Sequence, residues 1–340
     1  MNRTTTQRAR QRGITLVELM VALTVSLILL AGVLQIFQAN RQSYRVQEGL
    51  SRMQENGRFA IEFLAHDIRM ADFWGCANGI GKITNNLNSG AASGFIDFGT
   101  GGIDGTEGGG LNGSDSLVLR GGFGTGISLD PPFGPQASAT LQAPGNDLQQ
   151  GDIVLVSDCS AGDIFQVSNA NPQNASGSIV HNTGSGTPGN SNVSNPGCPG
   201  SNAHCLSKVY GADATLFKAR EITYSIQVGA SGEPALFRTI ASGTSSGTQE
   251  LVDGIEELQV RYGEDSDGDG SANYYVNANN VNDMQDVVSI RLAVVARSYT
   301  DNLTGGTAQK YTIFGNSNTP GDNRLRQVYT ATIGVRNRLP

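Results

Sequence analysis

The chain is short of the residues on which most enzymes and nucleic-acid binders depend. Its 340 residues include three histidines, only 16% charged side chains and a formal net charge of −7. The histidines stand in no recognisable triad context, and there is no nucleophile elbow or zinc-protease helix. Gly runs such as Gly121-Gly122-Phe123-Gly124 match neither a dinucleotide fingerprint nor a phosphate loop. No enzymatic activity is therefore expected. The missing positive charge argues against nucleic acid as a partner, because phosphate binders need clustered Lys and Arg. Proline is absent before Pro131, so nothing forces a break in the first third of the chain. Charge itself is nearly absent from one stretch: between Ile14 and Phe37 the only ionisable side chain is Glu18.

What is present begins with that stretch. As a helix, Ile14 to Phe37 rises roughly 36 Å, more than a bilayer core of about 30 Å, so it can span a membrane. The leader before it carries Arg3, Arg8, Arg10 and Arg12 and no acid, which favours keeping the amino end in the cytoplasm and sending the remainder across. A cleaved secretory signal fits less well, because its apolar region runs roughly 7 to 15 residues and ends at small residues. Leu30-Ala31-Gly32 opens like a lipoprotein box, but Val33 stands where the lipidated Cys belongs. A carboxylate at membrane depth costs about 2.5 to 3.5 kcal/mol, so Glu18 needs a partner or a route to the headgroups.

Beyond Phe37 the apolar residues thin into a stripe at Val46, Leu50, Met53, Ala60, Leu64 and Ile68, and the spacing predicts an amphipathic continuation of the helix to about Asp72. Gly49 and Gly57 weaken it by roughly 1 kcal/mol each. After Asp72-Phe73-Trp74-Gly75-Cys76 the chain turns rich in Gly, Asn and Ser. Strands are predicted at 116–120, 152–156, 163–167, 222–228, 235–240, 255–262, 287–297 and 327–336, several with strict alternation. Such strands form a largely antiparallel sheet that covers a helical stripe. The stretches 78–114, 170–202 and 300–323 read as long polar loops. The expected fold is α+β: a long amino-terminal helix packed on a β-rich domain.

All four cysteines, Cys76, Cys159, Cys198 and Cys205, follow the apolar segment, which reads as two disulfides in an exported domain with three connectivities open. The turn-prone Pro-Gly-Ser-Asn-Ala-His between them favours Cys198 with Cys205, and then Cys76 with Cys159. Zinc is the rival, since His204 adjoins Cys205, but four ligands at useful spacing are lacking. His66 and His181 show no evident partner. In Asp265-Ser266-Asp267-Gly268-Asp269-Gly270, acids at alternate positions followed by Gly match the first half of a calcium loop. The twelfth position is Val276, so the bidentate Glu is missing, and Asn273, Asp283 or Asp286 is left to complete coordination. The wider acidic set Glu256, Glu257, Glu264, Asp265, Asp267 and Asp269 suggests a cation, a basic protein partner or a solvated face.

Gly13, four uncharged residues, Glu18 and a long apolar helix together resemble the class III signal of type IV prepilins. Ile14 stands where that family most often has Phe. The resemblance implies that a prepilin peptidase cuts after Gly13, that Ile14 becomes the methylated amino terminus, and that Glu18 pairs with the terminal amine of a neighbouring subunit. Loss of the leader's four Arg takes the net charge from −7 to about −11. The segments Ile68 to Cys76, Asp158-Cys159, 163–167, Asp253 to Gly263, the acidic loop from Asp265 and the ending Gly334-Val335-Arg336-Asn337-Arg338 are similar, in this order, to the PilW family of minor pilins. The pattern implies a type IV pilin-like fold with a leader at 1–13, a transmembrane and filament-core helix at 14–37, its amphipathic continuation at 38–72 and a periplasmic or extracellular domain at 73–340. It further implies an inner-membrane anchor, and after assembly a place in the fibre, at its tip. The implied partners are FimU, PilV, PilX and PilE types of minor pilin, a PilY-type tip protein and the major pilin, in a complex that primes pilus assembly for twitching motility and adhesion. The alternatives are a minor pseudopilin of a type II secretion system and a tip-displayed adhesin or calcium-sensing module.

Overall fold

The computed structural model describes residues 13–77, 79–90, 94–134, 140–183, 186–192, 204–243 and 246–339. The chain divides into two compact units, Met1–Ser51 and Arg52–Pro340.

One helix, α1 (Leu16–Met70), provides most of the first unit and opens the second. In the first unit every large apolar side chain from Ile14 to Phe37 is at least half exposed, with Val25 the least so at 50%. The polar side chain of Thr24 is absorbed by the helix itself, donating to the carbonyls of Val21 at 2.9 Å and Met20 at 3.1 Å. This part of α1 is long and apolar enough to cross a membrane.

In the second unit α1 buries Met53, Gly57, Ala60, Leu64, Ala65, Asp67 and Ile68, a face at helical spacing. Val46 and Leu50 of the predicted stripe lie in the first unit, half-exposed and exposed. The strands follow in order as β1 (Ile83–Asn85), β2 (Ile103–Thr106), β3 (Ser116–Ser128), β4 (Thr140–Gln142), β5 (Ile153–Ser157), β6 (Gly162–Gln166), β7 (Ser178–Val180) and β8 (Thr215–Val228). They continue as β9 (Pro234–Ala241), β10 (Gly247–Asp253), β11 (Ile255–Glu264), β12 (Tyr274–Val276), β13 (Val287–Arg297), β14 (Tyr311–Ile313), β15 (Asn316–Asn318) and β16 (Arg326–Gly334).

An eight-stranded sheet runs β1-β6-β5-β8-β3-β2, with β9 also on β8 and β10 on β9. Only its β1–β6 pair is parallel. The 14 residues of β8 let it hold three neighbours: β3, then β5 at its start and β9 along its end. A four-stranded antiparallel sheet runs β12-β11-β13-β16. One core joins the buried face of α1 to Leu117, Leu119, Ile222 and Tyr224 of the large sheet and to Leu258, Val260, Leu292 and Val294 of the small one. The apolar stripe and the sheets thus each cover what the other leaves exposed.

Every predicted strand is present, with ends shifted or extended; β3 and β8 run well past the predicted segments. The three predicted loops are not wholly irregular. They contain β1, β2 and β7, short segments paired by strands outside their own loops, and β14 and β15, which pair with each other. The Cys76–Cys159 disulfide ties the segment just after α1 to the turn between β5 and β6.

Candidate functional site

At the amino-terminal junction the geometry starts with Thr15. Its backbone N–H and its hydroxyl both donate to Glu18 Oε2, each at 2.9 Å, and the N–H of Glu18 points back to Thr15 Oγ1 at 3.3 Å. This is a capping box: Thr15 caps the helix, and the carboxylate three residues on satisfies an otherwise orphaned donor. The reading of Glu18 as an unpartnered acid missed this use, although the pattern Thr-x-x-Glu before an apolar run carries the signal. Ile14, immediately before the cap, is 77% exposed, and Gly13 has open space around its α-carbon. The junction is accessible, and its one carboxylate lies against the main-chain N–H one residue beyond the Gly13–Ile14 bond. Arg3, Arg8, Arg10 and Arg12 of the leader lie outside the described residues.

A second set of residues gathers where α1 ends. Asp72 sits at φ +60°, a left-handed conformation that Asp tolerates better than most residues. Its Oδ1 accepts from Trp74 Nε1 and from the N–H of Gly102, both at 2.8 Å, and its Oδ2 accepts from Arg338 Nε at 2.6 Å. A Cβ on Gly102 would lie 2.4 Å from the Asp72 α-carbon, so only glycine admits this approach. Asn337 donates to the carbonyl of Ala71 at 2.8 Å. Two segments far apart in the sequence, 72–76 and 334–338, form one buried knot here. Its role is to hold the domain on the end of α1.

The acidic residues do not form one face. Glu256 is taken up by Arg326 at 2.6 Å, Glu257 accepts from the Tyr311 hydroxyl at 2.9 Å, and Glu264 accepts from the N–H of Asp283 at 3.0 Å and from Tyr274 at 2.8 Å. These are internal ties, which removes them from the expected cation or partner surface. Burial, with Glu256 and Asp115 nearby, raises the Glu257 carboxyl above its usual range. Asp265, Asp267 and Asp269 do converge, with one oxygen from each within 4.8 Å of the others. The loop also closes on itself: Asp265 accepts from the N–H groups of Gly268 at 2.8 Å and Gly270 at 2.7 Å. Asn273 Oδ1 is engaged by the Ser266 N–H at 2.7 Å, and Asp283 by the Gln285 N–H at 2.8 Å. Asp286, crowded by Asp283, Glu264 and Asp265, is raised above the usual carboxylate range, burial being the larger cause.

Among the remaining cysteines, Cys205 is disulfide-bonded, so its thiolate is not available to zinc, and Cys198 lies outside the described residues. His181 is buried rather than solvated, with its Nδ1 2.8 Å from Nδ1 of His204. His66 is 76% exposed beside Asp67.

Residues 223–337 match the family model of Type IV Pilus-assembly protein W, PilW, and residues 8–34 match that of the prokaryotic N-terminal methylation motif. No curated protein and no solved structure matches the chain. The two matches fall on the two regions whose geometry was just described: the capped apolar start of α1, and the sheet strands that lead to the Asp72–Arg338 knot. A methylation-motif match at the start, a helix long and apolar enough to cross a membrane, and a PilW match on the antiparallel strands make this chain similar, over these regions, to the PilW family of type IV pilus-assembly proteins.

Proposed function

We propose that this chain helps start type IV pili: it joins other minor pilins and a PilY-type tip protein in an inner-membrane complex that primes polymerisation of the major pilin, then remains at the fibre tip, supporting twitching motility and adhesion. The role is structural. A prepilin peptidase cuts after Gly13 and methylates Ile14, and the domain lies on the periplasmic side.

The observation that carries this reading is the contrast between the two units. Exposed apolar side chains from Ile14 to Phe37 suit lateral packing with other pilin helices. Helices in contact lie about 8–10 Å apart, whereas Arg52–Pro340 carries sheets of eight and four strands. A domain of that size crowds its neighbours if repeated at every helix along a shaft, and has room at an end. Glu18 supports the same reading. Its carboxylate bonds neutral donors of Thr15, and a neighbour's ammonium offers a stronger, charge-assisted bond.

The test is the quantity of shearable major pilin in a strain lacking this gene, with and without a block on retraction. Loss of pili that is largely restored when retraction is blocked supports priming. Unchanged pilus yield in both backgrounds overturns it and favours the pseudopilin alternative.

A second reading concerns the acidic loop, where the convergence of Asp265, Asp267 and Asp269 favours a hard divalent cation such as calcium. Calcium titration of the chain in nonionic detergent should raise the thermal midpoint, and Asp267→Ala should abolish the rise; no shift in the unsubstituted chain overturns this reading.

A further inference from the structure

On the large sheet, the strand register assembles a cationic cleft that the assembly role does not use. Lys218 and Arg220 alternate along β8, so they project from the same face as Ile222 and Tyr224. Arg238 of β9 stands opposite Tyr224, and Gln249 of β10 stands opposite Arg238. Three cations and a polar strand therefore line one cleft of about 450 Å³, whose rim adds the hydroxyls of Ser242 and Thr248.

The charge in this cleft is only partly matched. Lys218 lies 3.0 Å from Asp147 and 3.7 Å from Asp152, and Arg238 lies 3.6 Å from Asp67 of α1. Arg220 has no ion-pair partner among the described residues, and the buried Nε of Arg238 has no hydrogen-bond acceptor. Among the described lining residues Asp152 is the one carboxylate, against three cations. Asp147, Asp152 and Asp67 thus answer Lys218 and Arg238, and Arg220 is the cation of the lining that no carboxylate of the described residues meets. An unmatched guanidinium attracts anions, and a buried donor with no acceptor is costly until one arrives.

The shape and lining restrict the ligand. The volume falls in the range of small-ligand sites, roughly 300–1,000 Å³, and exceeds what a single inorganic anion fills. Among its described residues the lining has one apolar side chain, Ile240, and no aromatic, so it suits neither a hydrophobic peptide anchor nor stacked bases. The remaining surface is hydroxyl and amide, which pairs with ring hydroxyls. We infer that this cleft binds an acidic saccharide, with its carboxylate on Arg220 and Arg238 and its hydroxyls on Ser242, Thr248 and Gln249. The inference is independent of the assembly role and uses the sheet rather than the long loops.

The experiment is calorimetric titration of the full chain in nonionic detergent with three probes: a uronic-acid tetrasaccharide, the same tetrasaccharide with its carboxyls reduced to alcohols, and inorganic phosphate. The acidic tetrasaccharide is expected to bind saturably and to weaken as salt rises. The reduced sugar and phosphate should each bind roughly tenfold or more weakly. Arg220→Gln should weaken the acidic sugar by a similar factor while leaving the thermal midpoint unchanged, because Arg220 holds no internal ion pair. Absence of saturable binding, equal binding of the reduced sugar or of phosphate alone, or unaltered affinity in Arg220→Gln each overturns the assignment.

Discussion

At Gly57 the helix forgoes about 1 kcal/mol of propensity relative to alanine and gains a neighbour. A Cβ there would lie 2.2 Å from Cε2 of Tyr329, so the ring of β16 packs directly on the helix backbone, with its hydroxyl 3.4 Å from the carbonyl of Met53. From the sequence this glycine reads as a defect in the helix; in the structure it is the seat of a sheet residue. Gly57→Ala should therefore destabilise the chain by about 1–3 kcal/mol, the usual cost of overpacking, despite the better helix former. In a Tyr329→Ala background the same change should be neutral or stabilising. Urea unfolding of the four chains in a double-mutant cycle measures the coupling; additive effects would show that the ring and the glycine act separately.

Elements add a constraint that single residues do not. The segment after β7 and the segment before β8 are held together by the contact of His181 with His204, packed against Phe165 of β6. In a contact between two Nδ1 atoms one ring donates and the other accepts, so the accepting ring must stay neutral. Burial pushes His204 down to about 4, against the opposing pull of Asp163. An unfolded histidine titrates near 6.5, so below that pH the unfolded chain binds a proton that the folded one refuses until about pH 4. Stability should fall across this window by up to about 3 kcal/mol as pH drops. Unfolding free energies measured between pH 7 and pH 4 check the slope, and His204→Phe should flatten it; an unchanged slope in the variant assigns it to other groups. The same scale explains what the sequence made legible. Longer strands announce themselves, β11 and β13 by repeated alternation and β5 by a continuous apolar run that is buried throughout. The three-residue strands β1, β4, β7, β12, β14 and β15 hold barely one period, and β10 buries only Val252, so only their partners define them. The prepilin-like junction was readable from the six residues Gly13 to Glu18 and the apolar run after them. The bond of Asp72 to Arg338 was not, because the two are 266 positions apart and each alone is an ordinary charge.

For the molecule as a whole, the observed cap at Glu18 and its proposed pairing with a neighbour's amine have different physical requirements. Capping α1 needs an oxygen that accepts from Thr15, and the amide of glutamine supplies one. Pairing with a neighbour's amine in an apolar surrounding needs the negative charge, since an ammonium left without a counter-ion at membrane depth is costly. Glu18→Gln separates the two. It should leave the chain at wild-type abundance in the membrane with its helix start intact, yet cut shearable pili by roughly tenfold or more, the equivalent of about 1.4 kcal/mol lost in assembly. Glu18→Ala removes both uses and should also lower the amount of chain in the membrane. Normal pilus yield with glutamine at this position would mean that the cap alone is required, and that the exposed apolar face of α1 assembles without an ion pair.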